Sequence, residues 1–175
     1  MQNITLNLIK NDQKFADESV KYPLDIEFSK NTDIRPEWFM KSLNSDTSSE
    51  LQAINQYTTQ HAYYSNISDI LLGIAVTEMR HYKHLTELVV EKLNGSLVST
   101  RNYNGIGIKI GNSWQEAVSI NIDGEKSAIK EYNHILRSLQ FCEESKEKQY
   151  CIDLVNKLIA DEKLHLKILE ELLKG

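Results

Sequence analysis

Proline and cysteine are nearly absent from this chain: two of each in 175 residues, with seven glycines. So few breakers leave long uninterrupted stretches, which favours helix. Cys142 and Cys151 are too few for a disulfide framework and show no CxxC spacing, so both read as reduced packing residues. No stretch approaches the ~18 apolar residues that a membrane span needs. The net charge is −5 with no basic run, a poor electrostatic case for nucleic acid. Neither a membrane nor a nucleic acid is therefore expected as a partner. The start, Met1-Gln2-Asn3-Ile4, lacks the basic and apolar runs of a secretory signal, and a cytoplasmic protein is expected. What is present is ordinary for one soluble domain with a sizeable core: 41% hydrophobic and 26% charged residues.

Against that background one tetrapeptide stands out, Glu78-Met79-Arg80-His81, with its echo Glu162-Lys163-Leu164-His165. Residues three apart share a helix face, so each copy aims a carboxylate and an imidazole at the same spot. Each copy also falls on the apolar stripe of its segment. The first stripe runs Ile67, Leu71, Ile74, Glu78, His81, Leu85, Leu88. The second runs Cys151, Leu154, Leu158, Glu162, His165, Leu169, Leu172. Steps of three and four mean that charged residues replace core residues.

Residues 1–34 do not read as helix. Ile4, Leu6, Leu8 and then Tyr22, Leu24, Ile26, Phe28 alternate with period two, which predicts an extended arm packed on the domain or on a neighbouring subunit, with a mobile tail as the alternative. Asp33 and Pro36 signal a helix start. From there a stripe runs Phe39, Leu43, Thr47, Glu50, Ile54, Tyr57, His61, with a bend or fresh start expected near Asp46. Tyr64-Ser65-Asn66 reads as a turn, and the second helix extends to about Leu93, stopped by Asn94-Gly95. The connector 95–112 carries Gly105, Gly107 and Gly111, whose spacing is not that of a dinucleotide-binding loop. Ser113-Trp114-Gln115-Glu116 is a capping box that opens the third helix. Its stripe is Val118, Asn121, Glu125, Ala128, Tyr132, Ile135, Leu139, Cys142. A polar turn from Glu143 to Lys148 leads into the fourth helix. The domain reading is an arm over 1–34 and an all-α four-helix bundle over 35–175.

The first and third helices share the pattern ExxAIxxY, in Glu50 to Tyr57 and in Glu125 to Tyr132. Each is followed by a helix bearing ExxH. Two such hairpins about a pseudo-two-fold axis bring Glu50, Glu78, His81, Glu125, Glu162 and His165 together. One glutamate from each of two helices plus ExxH from the other two is the ligand set of carboxylate-bridged dimetal sites. Burying one unpaired carboxylate costs several kcal/mol, and two divalent cations cancel the four negative charges. Glu131 competes with Glu125 but sits off the stripe. The second helix runs 15 residues past Glu78 and the third begins 12 before Glu125. A connector joining opposite ends of the bundle must then span roughly 40 Å, which 18 residues can reach at about 3.3 Å each. A long crossover between the second and third helices follows.

The stretch Glu50-Leu-Gln-Ala-Ile-Asn-Gln-Tyr57 with Glu78-Met-Arg-His81 resembles the first half of bacterioferritins. Glu125-Lys-Ser-Ala-Ile-Lys-Glu-Tyr132 with Ala160-Asp-Glu-Lys-Leu-His165 resembles the second half. The likeness covers about residues 46–172 and is to the ferritin-like superfamily of bacterioferritins and rubrerythrins. It implies that the six residues above are metal ligands, with Glu78 and Glu162 as bridges. Asp161 resembles the residue that orients a histidine across the bundle, here His81, while the matching position in the first half is Thr77, so the two metals should differ. Tyr57 and Tyr132 read either as hydrogen-bond donors to ligands, as redox participants, or as packing.

The resemblance implies two iron ions that oxidise Fe(II) or reduce O2 or H2O2, as a ferroxidase or rubrerythrin-like peroxidase. Manganese is the alternative metal, and zinc or cobalt can substitute. A manganese catalase-like dismutase and a non-catalytic iron-binding or storage protein are the alternative functions. There are departures. Only ten residues follow His165, where bacterioferritins have a fifth short helix, so a mineral-storing shell is in doubt. Met79 stands at the position of a haem-ligating methionine but reads as a helix-surface residue, and haem is not expected. The four cysteines of a rubredoxin domain are absent, and Ala128 stands where rubrerythrins carry an extra glutamate. Any electron donor is then expected to be a separate protein, and the chain a homo-oligomer, dimer or higher. Of the other histidines, His61 reads as a core residue, and His84 and His134 as exposed.

Overall fold

Serine caps open three of the helices, and the apolar stripes between them set the bundle. The computed structural model describes residues 14–44, 49–96 and 107–174, and among these there is no strand. A short helix, α1 (Glu37–Asn44), precedes α2 (Glu50–Tyr63), α3 (Ser68–Glu87), α4 (Trp114–Leu139) and α5 (Lys146–Leu172). The bend or fresh start expected near Asp46 is a fresh start at Ser49, whose hydroxyl accepts from the Gln52 N–H. Thr47 of the expected stripe lies outside the described residues. Ser113 and Ser145 cap α4 and α5 in the same way. The capping box differs in one detail: the Glu116 carboxylate reaches back to Asn112.

α3 continues through a π-helical turn, Leu88–Lys92, before the chain leaves through Asn94, whose φ of 50° is left-handed. The Gly95 N–H then closes on the Val89 carbonyl at 2.8 Å. The end of the connector returns at the other end of the bundle. Gln60 Nε2 donates to the Lys109 carbonyl (2.9 Å) and the Tyr64 hydroxyl to the Gly111 carbonyl (2.9 Å), beside the α2–α3 turn. α3 and α4 therefore start at the same end, which makes them parallel and the connector a crossover, as the spacing predicts. Its residues 97–106 lie outside the described ones. No helix of the described residues is long and apolar enough to cross a membrane.

Two apolar clusters fill the bundle. One gathers Leu85, Leu88, Tyr132, Ile135, Leu154 and Leu158, closed by Phe39 and Leu43 of α1. The other gathers Leu71, Ile74, Val118, Ile122 and Leu169 with Tyr57 and Phe15. The ExxH turns of α3 and α5 lie between them along each helix.

Residues 14–34 run without regular structure along the bundle. Tyr22, Ile26 and Phe28 pack on the first cluster, but Leu24 is 89% exposed, so the period-two alternation does not describe one buried face. Ile4, Leu6 and Leu8 lie outside the described residues.

Candidate metal centre

The stripes deliver Glu50 from α2, Glu78 and His81 from α3, Glu125 from α4, and Glu162 and His165 from α5 to one layer. Each is at least 96% buried, so bulk water reaches the four carboxylates poorly. His81 Nδ1 lies 3.2 Å from Glu78 Oε2, 3.2 Å from Glu162 Oε1 and 3.4 Å from Glu50 Oε2. His165 Nδ1 lies 3.0 Å from Glu78 Oε1, 3.4 Å from Glu162 Oε2 and 3.8 Å from Glu125 Oε2. Glu78 and Glu162 thus offer one oxygen to each side. The two resulting groups, Glu50–Glu78–His81–Glu162 and Glu78–Glu125–Glu162–His165, share those two glutamates. The imidazole rings are 6.1 Å apart between centroids.

The outer atoms of this layer are satisfied by protein. His81 Nε2 is 3.0 Å from Asp161 Oδ2, and His165 Nε2 is 2.8 Å from the Phe15 carbonyl. A carbonyl only accepts, so His165 carries its proton on Nε2 and, when neutral, turns a lone pair on Nδ1 inward. His81 does the same towards a carboxylate. The Tyr57 hydroxyl donates to Glu125, and the Tyr132 hydroxyl to Glu50, each reaching from one hairpin to the other.

The inner atoms are not satisfied. Glu50 Oε2, Glu78 Oε1, both Glu162 oxygens, His81 Nδ1 and His165 Nδ1 are buried without an aligned hydrogen bond. Orphaned acceptors converging in this way fit a pair of cations. A carboxylate-rich set with one imidazole per side suits iron or manganese.

Charge in the layer is correlated. Burial pushes the Glu50 carboxyl up, and the Glu78 charge adds to it; burial and then Glu162 do the same to Glu125. Glu78 goes the other way, because contact with His165 and His81 outweighs burial and holds it below the usual range. Glu162 is also lowered: burial and the Glu78 charge raise it, but Glu125, His165 and His81 prevail. Both imidazoles are raised. Burial opposes their charged forms, but Tyr22, Asp161, Glu162 and Glu50 outweigh it at His81, and Glu125, Glu162 and Glu78 at His165. Protons on Glu50, Glu125 and the two imidazoles therefore compete with cations for this layer, and entering cations displace those that are bound. Metal uptake is expected to release protons and to weaken as pH falls. Calorimetry in buffers of different ionisation enthalpy measures the number, and uptake without proton release would contradict it.

Several expected positions resolve elsewhere. Glu131 turns outward to pair with Lys41 of α1. His61 bonds Ser68 across the α2–α3 turn, with Ser68 Oγ at 2.7 Å. His84 is not exposed as expected: Tyr22 stacks on it at 4.1 Å and leaves it half-buried. His134 is exposed, and Met79 lies on the surface at 45% exposure.

Three residues were not legible as part of the site. Lys157 donates to Asp161 Oδ1 (2.7 Å) and to the Asp17 carbonyl (2.8 Å), and the Asp17 N–H donates to Asp161 Oδ1 (2.5 Å). The four-residue spacing of Lys157 and Asp161 is a signal for the first. Nothing in the sequence announces the backbone groups of Phe15 and Asp17.

A cavity of about 260 Å³ opens between α2 and α4 onto the glutamates of this layer. Glu50, Glu78, Glu125 and Glu162 form its inner wall, and the small residues Ala53, Gly124 and Ala128 widen it. A Cβ added at Gly124 would meet no atom within 4 Å.

The rubrerythrin family model matches residues 41–173, which hold all four long helices and all six of these side chains. The chain belongs to the rubrerythrin family. The sequence is also similar to a bacterioferritin of Mycobacterium bovis, 27% identical over 137 residues that cover 75% of this chain and 80% of the relative. Bacterioferritin BfrA of Mycobacterium tuberculosis matches with the same figures. The solved structure of that Mycobacterium tuberculosis bacterioferritin superposes with a TM-score of 0.64 at 25% identity, covering 81% of this chain and 86% of its own. A second mycobacterial bacterioferritin structure gives 0.63 at 22% identity, which speaks for the fold alone. This rubrerythrin-family chain is thus a ferritin-like four-helix bundle with a candidate metal centre at its middle.

Proposed function

We propose that this protein is a di-iron oxidoreductase that holds two ions through Glu50, Glu78, His81, Glu125, Glu162 and His165. It oxidises Fe(II) with, or passes electrons to, H2O2 or O2. The observation that carries this reading is the set of inward, unpartnered ligand atoms, two of whose carboxylates face both histidines. Bound iron would supply one electron per ion, enough for two Fe(II) and two protons to convert one H2O2 to two waters.

The protein's own groups do the rest. Tyr57 and Tyr132 each occupy one oxygen of Glu125 and Glu50, which fixes the carboxylate planes and leaves the second oxygen for a cation. Asp161 fixes the tautomer of His81. The α2–α4 cavity gives a small oxidant a path to the glutamate layer, while the apolar clusters on either side exclude bulk water. Reducing equivalents come from a separate protein, and the working form is a homo-oligomer in the cytoplasm.

Stopped-flow absorbance tests this. Protein loaded anaerobically with about two Fe(II) per chain and mixed with H2O2 or O2 is expected to develop ferric absorbance with single-turnover kinetics. Absence of any oxidant-dependent ferric signal would overturn the proposal. Oxygen release from peroxide by a manganese-loaded form would favour a dismutase instead.

A further inference from the structure

We propose that the Phe15 carbonyl of the N-terminal segment is a positioning group for His165, serving it as Asp161 serves His81. The proposal rests on the metal-binding reading above and concerns how the two halves of that site are made unequal.

The pseudo-two-fold repeat shows what is missing. His81 of the first hairpin donates to Asp161, the residue before Glu162 in the second. Symmetry asks for an acidic residue before Glu78 to serve His165, and Thr77 stands there, its hydroxyl directed to the Gly73 carbonyl at 3.4 Å. The acceptor comes instead from outside the bundle: the Phe15 carbonyl, 2.8 Å from His165 Nε2 and 150 positions away.

The segment is held where that bond requires it. The Phe15 ring lies over Gly73, where an added Cβ would stand 2.1, 2.4 and 2.7 Å from three ring atoms. Glycine in a helix interior lowers helix stability, so its presence in α3 has a packing reason, and the reason here is the seat for this ring. Two residues on, the Asp17 N–H donates to Asp161 and the Asp17 carbonyl accepts from Lys157. One short stretch thus supplies the outer partner of His165 and holds that of His81. A carbonyl is a weaker, uncharged acceptor than a carboxylate, so His165 becomes the less basic ligand and its cation the more weakly held.

The test compares the full-length wild type with Gly73→Ala, Phe15→Ala and the double variant. Anaerobic Co(II) titration follows the visible bands of each bound ion, and imidazole ¹⁵N NMR of the apoprotein follows the two Nε2–H signals. Wild type is expected to take up two Co(II) in distinguishable steps. In Gly73→Ala the added methyl displaces the ring while alanine favours the helix, so the fold is kept. The His165 Nε2–H signal should then shift and the weaker step should lose about tenfold or more in affinity. The stronger step should change much less. Phe15→Ala should act in the same direction, and the double variant should be no worse than Phe15→Ala, because both act through one seat.

Equal weakening of both steps, or unchanged steps and signals in both single variants, would overturn the proposal. So would a shifted His165 signal with unchanged affinities. Failure of wild type to bind a pair of Co(II) would instead overturn the metal-site reading itself.

Discussion

Glu78→Ala is expected to abolish binding of at least one metal ion and to leave the bundle folded. Glu78 sends one oxygen towards each histidine, 3.2 Å from His81 Nδ1 and 3.0 Å from His165 Nδ1, so its loss removes a ligand from both halves of the centre. The apoprotein tolerates the change because each imidazole can shed its proton instead of staying charged, and Glu162 still faces both. Its stability should therefore move by no more than about 1–3 kcal/mol. A metal present at about a thousand times its dissociation constant stabilises the fold by about 4 kcal/mol. At roughly 2–4 °C per kcal/mol for a chain of this size, the wild type should melt about 8–16 °C higher with metal than without. In Glu78→Ala most of that gain should vanish. Calorimetric scans with and without Mn(II) check it, and an undiminished metal-induced shift would show that the site is wrongly placed.

Asp161→Ala should have the larger effect on the fold itself. Asp161 is wholly buried and answers three donors: His81 Nε2, Lys157 Nζ and the Asp17 N–H. Removing it strands the Lys157 ammonium, which is itself 97% buried, and breaking such a pair costs about 3–5 kcal/mol. Urea unfolding of the apoprotein measures this. Adding Lys157→Met should recover a large part, because the stranded charge goes with it. Burial raises the Asp161 carboxyl, but the His81 and Lys157 contacts outweigh that and hold it below its ordinary 3.8. Its stabilisation is therefore full above that pH and fades as acid carries the protein through the lowered value. The deficit of the variant should shrink in the same direction. A loss under about 1 kcal/mol at neutral pH would contradict this account.

The repeat was the most legible feature of the chain because it is written twice, in ExxAIxxY and in ExxH, on stripes with helical spacing. Every residue of the stripe from Ile67 to Leu88 is buried, as the three-and-four spacing requires. The crossover was legible too, since connector length and helix length constrain each other. Less could be read where side chains do not carry the information. The Ser/Thr run predicts a break between α1 and α2, but which hydroxyl caps α2, that of Ser49, depends on backbone geometry. Lys157 sits one position off its stripe, yet α5 turns it under residues 17–22, where it also lies 5.3 Å from the Tyr22 ring. His84 is covered by that same tyrosine. The Phe15 carbonyl is a backbone group that any residue would supply, so only the three-dimensional path of the chain reveals its use.

The central claim is that six side chains from four helices hold two cations between the imidazoles. Anomalous diffraction from crystals of the Mn(II)-soaked protein, recorded on both sides of the manganese edge, tests it most directly. Two peaks are predicted inside the glutamate layer, one beside His81 Nδ1 and one beside His165 Nδ1. A single peak, or peaks only at surface carboxylates, would contradict the claim.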